Sequence, residues 1–497
     1  MVTEKFAPKI YVLDTTLRDG DQAPGMHLNP EKKLLLAKKL DDVGVHVIEG
    51  GTAVASESDK NALKEMAAAD LDAELFSFAR IVPGDIDAVA ECGCDGVHLV
   101  FPSSELHIRA KLKKTPQEAK QDILGAAQYA LDKGLIVELS AEDGSRADPE
   151  FLKELYQEAA KQGVERFCVC DTVGILTPEK SFELYSAIKQ AVGNNRLAVH
   201  GHNDLGMATA NTLAALRAGC DEFHATVNGV GERTGNCALE EVAAGLDVLY
   251  QKPVIETKRL YELSQYARAL SGFPMAPNKP VVGENAFSHE SGIHVDGIVK
   301  DARTYEGLVP EAVGRKRKIV LGKLSGRKAI GLKLEEFDLT ATPEQQEKIF
   351  LDVKKAGDQG KIVSDADLMA IARNVLGTGE AEKIKVERLE VTTGNVHPPV
   401  ATVKIRVKNG EERVLTGMEE GDGPVDAAMK AIYAAYGKKD VVLTDYRVEA
   451  ITGGSDAFVD VKVKMKRGDK EISSGAVGTD IVMASVEAMV KAMNALI

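Results

Sequence analysis

Eight short apolar runs recur between residues 9 and 255, spaced by roughly 30 residues, which is the length of one strand-plus-helix unit. The segments between them carry helix-start signals, including Asn29-Pro30 and a capping box over Thr115–Glu118. Near-continuous apolar strands that alternate with helices predict an α/β fold of the (β/α)8 barrel type. An open doubly wound sheet is the alternative, but no G-x-G-x-x-G follows the first run.

Polar residues collect at the carboxyl ends of the predicted strands, which in such a barrel form the mouth that carries catalytic groups. The amino ends are expected to carry nothing comparable, and this asymmetry predicts an enzyme. The polar residues at the carboxyl ends are, in chain order, Thr16, Arg18, Asp19, Glu49, Arg80, Glu142, Asp143, Arg146, Asp171, Thr172, His200, His202, Asn203, Asp204, Asn228, Glu232, Arg233 and Asn236.

The seventh run, LAVHGHNDLG, reads as a short buried strand that ends in two histidines. Because side chains two apart on a strand point the same way, His200 and His202 are expected to face one spot. Asp19 and the amide oxygen of Asn236 could complete a site for a divalent metal ion, with Mn, Mg, Zn and Co as candidates. Open positions on such an ion suit a 2-oxo acid, whose alkoxide or carboxylate Arg18 could bind. Two polar histidines packed at a barrel rim are the alternative.

The pattern changes after the barrel, so we predict three domains: residues 1–255, 256–383 and 384–497. The middle part looks mainly helical and contains an irregular polar segment at residues 283–307. Loops rich in His, Glu and Asp are often only solvated, although binding residues also concentrate on loops. The middle part is therefore predicted as helical linker subdomains that contribute to the active site.

The last part reads as a strand, hairpin and helix unit that occurs twice, an α+β pattern in which Asn409-Gly410 marks one hairpin turn. The two helices begin just after Gly421–Pro424 and Gly478–Asp480, where free backbone N–H groups could hold an anionic group. We therefore predict a small regulatory domain that binds an effector. A dimerisation or purely structural module is the alternative, and a non-catalytic sensor is the corresponding alternative for the whole chain.

The net charge of −14 argues against a nucleic-acid partner, because no basic stripe is available to neutralise phosphates. No run is long and apolar enough to cross a bilayer, and the first residues lack the apolar core of a signal peptide, so a cytoplasmic protein without a membrane partner is expected. The six cysteines are expected to be structural thiols rather than a catalytic nucleophile.

Three stretches, YVLDTTLRDGDQAPG, HGHNDLGMATANT and NGVGERTGNCALEEV, resemble the signature motifs of the DRE-type TIM metallolyases. The chain is most similar to the acetyl-CoA-dependent synthase branch, which contains 2-isopropylmalate, homocitrate and (R)-citramalate synthases and carries an H-V-D-G element, here His294–Gly297. The branch implies acetyl-CoA as co-substrate and a homodimer in which linker residues complete the partner's site. A lyase or aldolase of the same superfamily is the alternative.

The resemblance also implies residue roles. Asp19, His200 and His202 would be metal ligands, with Asn236 as a fourth. Arg18 would polarise the keto oxygen, Thr172 would hold the carboxylate of the 2-oxo acid, and Glu142 would take a proton from the acetyl-CoA methyl group. The linker would supply His294, Asp296 and Tyr305. The family often has Cys between the two histidines, whereas this chain has Gly201, which should point away from the metal.

The acceptor is predicted from ELSAEDGSRAD, FCVCDTVGILTPEKS and GMATANT, which look most like the archaeal citramalate-synthase type. That type implies pyruvate as acceptor, (R)-citramalate as product and feedback inhibition by isoleucine. The 2-isopropylmalate synthase type, with 2-oxoisovalerate as acceptor and leucine as effector, is the alternative. We expect pocket positions such as His98, Ser140 and Cys168 to decide between them, by about 10- to 200-fold per methylene.

Overall fold

The computed structural model describes residues 6–358, 363–377, 383–409, 411–437, 440–450 and 457–497. The chain divides into two compact units. The first comprises Met1–Phe287 and Leu308–Arg317, and the second comprises Ser288–Gly307 and Lys318–Ile497. The three-part division at residues 255 and 383 stays a prediction.

The first unit contains a closed barrel in which the eight predicted strands pair in sequence order, all parallel, and the last pairs with the first. This confirms the predicted (β/α)8 fold. The strands are β1 (Tyr11–Asp14), β2 (Val47–Thr52), β3 (Glu74–Arg80), β4 (Gly96–Pro102), β5 (Ile136–Glu142), β6 (Arg166–Asp171), β7 (Arg196–Gly201) and β8 (Glu222–Ala225).

Helices surround these strands, and those that follow Asn29 and Thr115 begin where the sequence signals predicted. The Asn29 side chain accepts a hydrogen bond from the backbone N–H of Lys32, and Thr115 with Glu118 forms the expected capping box. The helices are α1 (Pro30–Val43), α2 (Glu57–Ala67), α3 (Pro83–Glu91), α4 (Glu105–His107), α5 (Pro116–Asp132), α6 (Pro149–Gln162), α7 (Pro178–Val192), α8 (Ala208–Arg217), α9 (Leu239–Tyr250) and α10 (Leu260–Ser271).

The amino ends of the strands carry charged groups, so the expectation that they would carry nothing comparable is wrong. The guanidinium of Arg166 at the start of β6 donates to Glu74 at the start of β3, at 2.8 Å. Arg196 at the start of β7 donates to Glu222 at the start of β8, at 2.9 Å. The paired residues lie on different strands, 92 and 26 positions apart in sequence, so a reading of each strand alone could not show that the charges compensate one another.

The second unit begins with short strands and helices. A two-stranded parallel sheet pairs β9 (Ser288–His289) with β10 (Lys318–Ile319). The helices are α11 (Gly292–Lys300), α12 (Arg327–Glu336), α13 (Pro343–Asp358) and α14 (Asp365–Leu376). The prediction of a mainly helical middle region is confirmed for these described residues.

The end of the second unit has the predicted repeat, in which three antiparallel strands precede one helix, twice. The pairing of Asn409 with Glu411 confirms the predicted hairpin, while its turn residue Gly410 lies outside the described residues. The elements are β11 (Ile384–Thr392), β12 (Val400–Asn409), β13 (Glu411–Glu420), α15 (Pro424–Tyr436), β14 (Val442–Ala450), β15 (Val459–Arg467), β16 (Lys470–Gly478) and α16 (Ile481–Leu496).

One apolar core runs through the second unit. It includes Ile330 and Val353 of the helical part together with Ile405, Ile432 and Met489 of the repeat, all of them buried. The helical part and the repeat therefore stabilise each other through shared burial of apolar surface. Among the described residues, none of the helices has the length and apolarity needed to cross a membrane.

Candidate active site at the barrel mouth

Three of the predicted metal ligands meet at the carboxyl end of the barrel. The Oδ2 atom of Asp19 lies 3.4 Å from Nε2 of His200 and 3.9 Å from Nε2 of His202, and the two Nε2 atoms are 3.4 Å apart. All three side chains are buried. Three ligand atoms that converge on one point can bind one divalent ion, so the structure brings together the predicted set.

The charge states of the three side chains suit a cation. Burial lowers the pKa of His200 to about 4, and the charge of Asp19 offsets this only in part. Burial also lowers the pKa of His202. Burial would raise the pKa of Asp19, but the Arg18 guanidinium and then His200 outweigh it and hold this pKa well below its usual range. At neutral pH the site therefore offers two neutral imidazoles and one carboxylate, which are the protonation states that metal ligands require.

Asn236 reaches the same place from the loop after β8. Its backbone forms an isolated antiparallel bridge with His202, and the N–H of Cys237 donates to the carbonyl of Gly201 at 3.0 Å. The amide Oδ1 and Nδ2 of Asn236, like Oδ1 of Asp19, are buried and have no hydrogen-bond partner among the described residues. Buried polar atoms without partners are costly, and a metal ion with its water would satisfy them. The donor set therefore fits a divalent ion.

The loop that carries Asn236 is glycine-rich and tightly folded. Gly235 has a φ of +87°, and a Cβ atom there would lie 1.9 Å from the carbonyl oxygen of Gly229, so only glycine fits. Arg233 ties the loop to the strands beside it by donating to Asp204 at 2.8 Å and to the carbonyl of Thr172 at 2.7 Å. A cavity of about 210 Å³ lies beside the loop, lined in part by Thr16 and Asn228.

Arg18 is fixed between two carboxylates. Its Nε donates to Glu49 at 2.8 Å, and its Nη1 lies 3.1 Å from Asp19. Burial alone would lower the pKa of Arg18, but Glu49 and Asp19 outweigh burial and raise it, so the guanidinium stays charged. Glu49 also accepts from Thr15 at 2.5 Å and contacts Nδ1 of His98 at 2.7 Å. Glu49 therefore positions Arg18 and His98 together, a role that reading the sequence missed.

Beneath this layer, buried side chains of β4, β5, β6 and β8 form a second polar group. It comprises His98, Glu138, Cys168 and His224, whose nearest ligand-type atoms all lie within 4.8 Å of one another. Nε2 of His224 lies 3.0 Å from Oε1 of Glu138, and although burial would lower the pKa of His224, Glu138 outweighs it and raises this pKa to about 10. The group balances its own charge as an ion pair, and Ser140 lies beside it, 3.5 Å from Glu138.

Glu142 is the last residue of β5, and Thr172 lies in the loop after β6. Both oxygens of the Glu142 carboxylate lie 2.6 Å from Nζ of Lys111, and the side chain is 21% exposed. The hydroxyl of Thr172 accepts from the backbone N–H of Asp143 at 2.8 Å, which leaves its own proton free to bind an anion. The mouth thus holds a carboxylate and a hydroxyl donor in addition to the candidate metal ligands Asp19, His200, His202 and Asn236.

The predicted linker residues belong to the second unit. The rings of His294 and Tyr305 stack with centroids 4.1 Å apart, and Asp296 pairs with Lys300 at 2.7 Å and also with Lys328. Their contribution to the barrel site stays a prediction.

Residues 9–267 match the HMGL-like family. Residues 281–361 match the homocitrate synthase post-HMGL domain-like family, and residues 362–497 match the LeuA allosteric (dimerisation) domain. These three matches cover the barrel, the helical region and the repeat in the order in which the chain contains them.

Curated relatives match along almost the whole chain. The (R)-citramalate synthase of Methanocaldococcus jannaschii is 49% identical, covering 98% of this chain and 99% of its own. A putative (R)-citramalate synthase of Archaeoglobus fulgidus is 46% identical, covering 98% and 100%. Among solved structures, hydroxymethylglutaryl-CoA lyase from Pseudomonas aeruginosa is 22% identical, with a TM-score of 0.49 over 54% of this chain and 95% of that one.

Proposed function

The chain belongs to the HMGL-like family, and from this premise we propose that it is an (R)-citramalate synthase. The enzyme condenses acetyl-CoA with pyruvate, and water hydrolyses the thioester to release (R)-citramalate and free CoA. It is therefore an acyltransferase that converts the acyl group into an alkyl group. This reaction supplies a precursor for isoleucine biosynthesis.

The 49% identity with the (R)-citramalate synthase of M. jannaschii, over 98% of the chain, carries the choice of pyruvate as acceptor. The alternative acceptor 2-oxoisovalerate, which would make the chain a 2-isopropylmalate synthase, gains no support from these relatives. A lyase or aldolase is disfavoured by the match of residues 281–361 to the homocitrate synthase post-HMGL domain-like family. A non-catalytic sensor is disfavoured by the buried ligand group of Asp19, His200 and His202.

The acceptor binds at the group formed by Asp19, His200, His202 and Asn236. A divalent ion held there would act as a Lewis acid on the keto group of pyruvate. Arg18 directs its guanidinium at the keto oxygen, and its clamp between Asp19 and Glu49 keeps it oriented before the substrate arrives.

The remaining polar groups of the mouth serve the two substrates. Thr172 donates its hydroxyl proton to the pyruvate carboxylate, and His98 and Ser140 line the space for the methyl group of pyruvate. Glu142 removes a proton from the acetyl-CoA methyl group, a weak acid that requires a positioned base. Support for these roles comes from the position of each residue at the carboxyl end or inner face of its strand.

Regulation and assembly complete the proposal. Isoleucine inhibits by binding to the repeat at residues 384–497, which is supported by its match to the LeuA allosteric (dimerisation) domain. The enzyme is a homodimer in which His294, Asp296 and Tyr305 of the linker reach the partner's site. The ion is Mn, Mg, Zn or Co.

A thiol-release assay tests the proposal. The purified chain is mixed with acetyl-CoA and a divalent metal, and free CoA is measured with pyruvate, 2-oxobutyrate, 2-oxoisovalerate or 2-oxoglutarate as acceptor, with and without isoleucine. We expect the highest kcat/KM for pyruvate, a loss of activity with a chelator, and inhibition by isoleucine. A preference for 2-oxoisovalerate, or full activity after removal of metal, would contradict it.

A further inference from the structure

The segment Glu105–Leu112, which follows β4, presents two nitrogen side chains to the Glu142 carboxylate. It consists of α4 and a π-helical turn over Ile108–Leu112. Nζ of Lys111 lies 2.6 Å from both carboxylate oxygens of Glu142, and Nδ1 of His107 lies 3.6 Å from one of them. A π-helical turn is rare and occurs frequently at functional sites. Here the turn carries Lys111 and directly follows His107, and both side chains approach one carboxylate.

Hydrogen bonds fix this segment to the end of β5. The backbone N–H of Ser103 donates to the carbonyl of Glu142 at 3.0 Å, and the Ser103 hydroxyl donates to the same oxygen at 2.6 Å. The Ser104 hydroxyl donates to Asp143 at 2.5 Å and accepts from the backbone N–H of His107. The position of the segment relative to Glu142 is therefore set by the backbone and by short side chains, not by the Lys111 ion pair.

The Lys111 contact has little structural purpose. The Lys111 side chain is 50% exposed, and an exposed ion pair of this kind contributes little to stability. Nδ1 of His107 is buried without a hydrogen-bond partner among the described residues, which costs stability. The position of Nζ of Lys111 and Nδ1 of His107 beside Glu142 is therefore better explained by a ligand that both atoms can bind than by a contribution to stability.

Proton removal from the acetyl-CoA methyl group needs such groups. As the C–H bond breaks, negative charge develops on the thioester oxygen, and donors already aimed at that oxygen lower the barrier. The thioester carbonyl is bonded to the methyl carbon, so its oxygen must lie within a few ångströms of the Glu142 carboxylate during the transfer. Lys111 is already in that space, and its four-carbon stem allows it to move there without moving the backbone.

We propose that Lys111 is a catalytic residue that binds the thioester oxygen of acetyl-CoA, next to Nδ1 of His107. The proposal rests on the proposed function and on Glu142 as the base. In the free enzyme the Lys111 ammonium contacts both oxygens of the Glu142 carboxylate. When acetyl-CoA enters, the ammonium shifts to the thioester oxygen.

The electrons move in a closed sequence. Glu142 takes the methyl proton, the C–H pair forms the C=C bond, and the carbonyl π pair moves to the thioester oxygen, where Lys111 donates a hydrogen bond. The enolate then reforms the carbonyl, and its C=C pair makes the new bond to the keto carbon of pyruvate. The keto π pair moves to the keto oxygen, which faces Arg18 and takes up a proton from solvent, while Glu142 returns its proton to solvent. Water then hydrolyses the thioester, and CoA leaves as the free thiol.

The test compares Lys111→Met with Lys114→Met, a lysine three residues further along that pairs with Asp122 instead of Glu142. We expect Lys111→Met to lower kcat by roughly 100- to 1,000-fold, as for loss of one oxyanion donor, with the KM for pyruvate within about threefold of wild type. The primary isotope effect on kcat with acetyl-CoA deuterated in the methyl group should rise, because proton removal becomes slower. Lys111→Arg should recover part of the activity, and Lys114→Met should resemble wild type.

Other outcomes overturn the proposal. A kcat within about threefold of wild type would show that Lys111 has no catalytic role, and a rise only in the KM for acetyl-CoA would show that it serves binding alone. If wild type prefers another 2-oxo acid, the proposed acceptor is wrong, and the same variants are compared with that acceptor. Circular dichroism of the Lys111 variants controls for folding, which should be unchanged because the Lys111 side chain is half exposed.

Discussion

At the scale of single residues, the candidate site depends on buried charges that neighbours hold in a defined state. Arg18 lies between Asp19 and Glu49, so its guanidinium is oriented by two carboxylates and keeps its charge although it is buried. His200 and His202 remain neutral because burial disfavours their charged forms. The chemistry of the mouth is thus prepared before any substrate binds, which is the arrangement that favours catalysis.

Substitution of Glu142 separates catalysis from binding. Glu142→Gln keeps the size of the side chain but removes its ability to accept a proton. We expect kcat to fall by roughly 100- to 10,000-fold while the Kd for pyruvate changes by less than about threefold. Steady-state kinetics and calorimetric titration with pyruvate measure the two quantities. Equal losses in both would show that Glu142 only positions the substrate.

Asp14 at the end of β1 makes folding stability depend on pH. Burial raises the pKa of Asp14 to about 7 from a usual value of 3.8. Between these values the folded protein keeps a proton that the unfolded chain releases, so the contribution of Asp14 to stability falls as the pH rises through this window. In the variant Asp14→Asn the side chain cannot ionise. Its amide oxygen can still accept from the backbone N–H of Thr16, as the Asp14 carboxyl does at 2.8 Å.

We therefore expect Asp14→Asn to gain about 3 kcal/mol of unfolding free energy relative to wild type when the pH is raised from 5 to 8. Urea denaturation at the two pH values measures this difference. A constant difference between the two proteins would mean that Asp14 does not titrate in this range.

At the scale of elements, the glycine-rich loop after β8 is the part of the mouth with the strictest backbone requirement. It carries Asn236 to His202, and Gly235 is packed so closely against Gly229 that a side chain has no room. The loop is therefore a closely packed support for the candidate metal ligands rather than a variable connection.

Gly235→Ala should disrupt this loop. The added Cβ would lie 1.9 Å from the Gly229 carbonyl oxygen, so the loop must move and Asn236 with it. We expect at least about tenfold weaker binding of a divalent metal, measured by equilibrium dialysis, and a lower Tm. Gly44→Ala is the matched control, since Gly44 has a similar φ of +90° but open space around it, and should cost only about 1 kcal/mol. Unchanged metal binding in Gly235→Ala would contradict the role of the loop.

The two helices of the repeat differ at their first turns. Asp480 accepts hydrogen bonds from the backbone N–H groups of Val482 and Met483, so the prediction of free N–H groups at Gly478–Asp480 is wrong for these two donors. The reason is local, because an aspartate at this position is itself the cap. The start of α15 has Gly423 at the cap position and no side-chain cap, so this end stays the candidate for the carboxylate of an effector.

Gly423→Asp tests that assignment. Gly423 has a φ of −151°, and a Cβ atom there meets nothing within 4 Å, so aspartate fits. Its carboxylate would bind the first N–H groups of α15 as Asp480 does in α16. We expect an at least tenfold higher isoleucine concentration for half-inhibition, with kcat unchanged and the helix stabilised by a few tenths of a kcal/mol. Unchanged inhibition by isoleucine would place the effector elsewhere.

At the scale of the whole molecule, the second unit has one core that joins its helices to its repeat. Removal of residues 385–497 would expose Ile330 and Val353, which pack in the same apolar cluster as Ile405 and Met489. A truncated chain would therefore lose stability as well as inhibition. A loss of activity in that chain could come from unfolding of the second unit or from removal of the repeat itself. Single substitutions such as Gly423→Asp are the cleaner test of regulation.

Local sequence patterns were sufficient for much of the fold. Periodicity and caps predicted eight strands, their order, and the helices that begin at Pro30 and Pro116, because each signal depends on residues within one turn or one strand. The spacing in His200-Gly201-His202 also predicted two imidazoles at one point. The resemblance of three motifs to the acetyl-CoA-dependent synthases agrees with the family matches along the chain.

The sequence by itself determined the barrel, the repeat and the convergence of Asp19, His200 and His202 at the barrel mouth. Only the tertiary structure decided which charged side chains contact each other. The pairs are Glu49 with Arg18, His224 with Glu138, Lys111 with Glu142 and Arg166 with Glu74. These partners lie on different strands or loops. Their separation in sequence runs from 31 residues for Glu49 and Arg18 to 92 residues for Arg166 and Glu74. Closure of the barrel sets such contacts, and no pattern within one element encodes them.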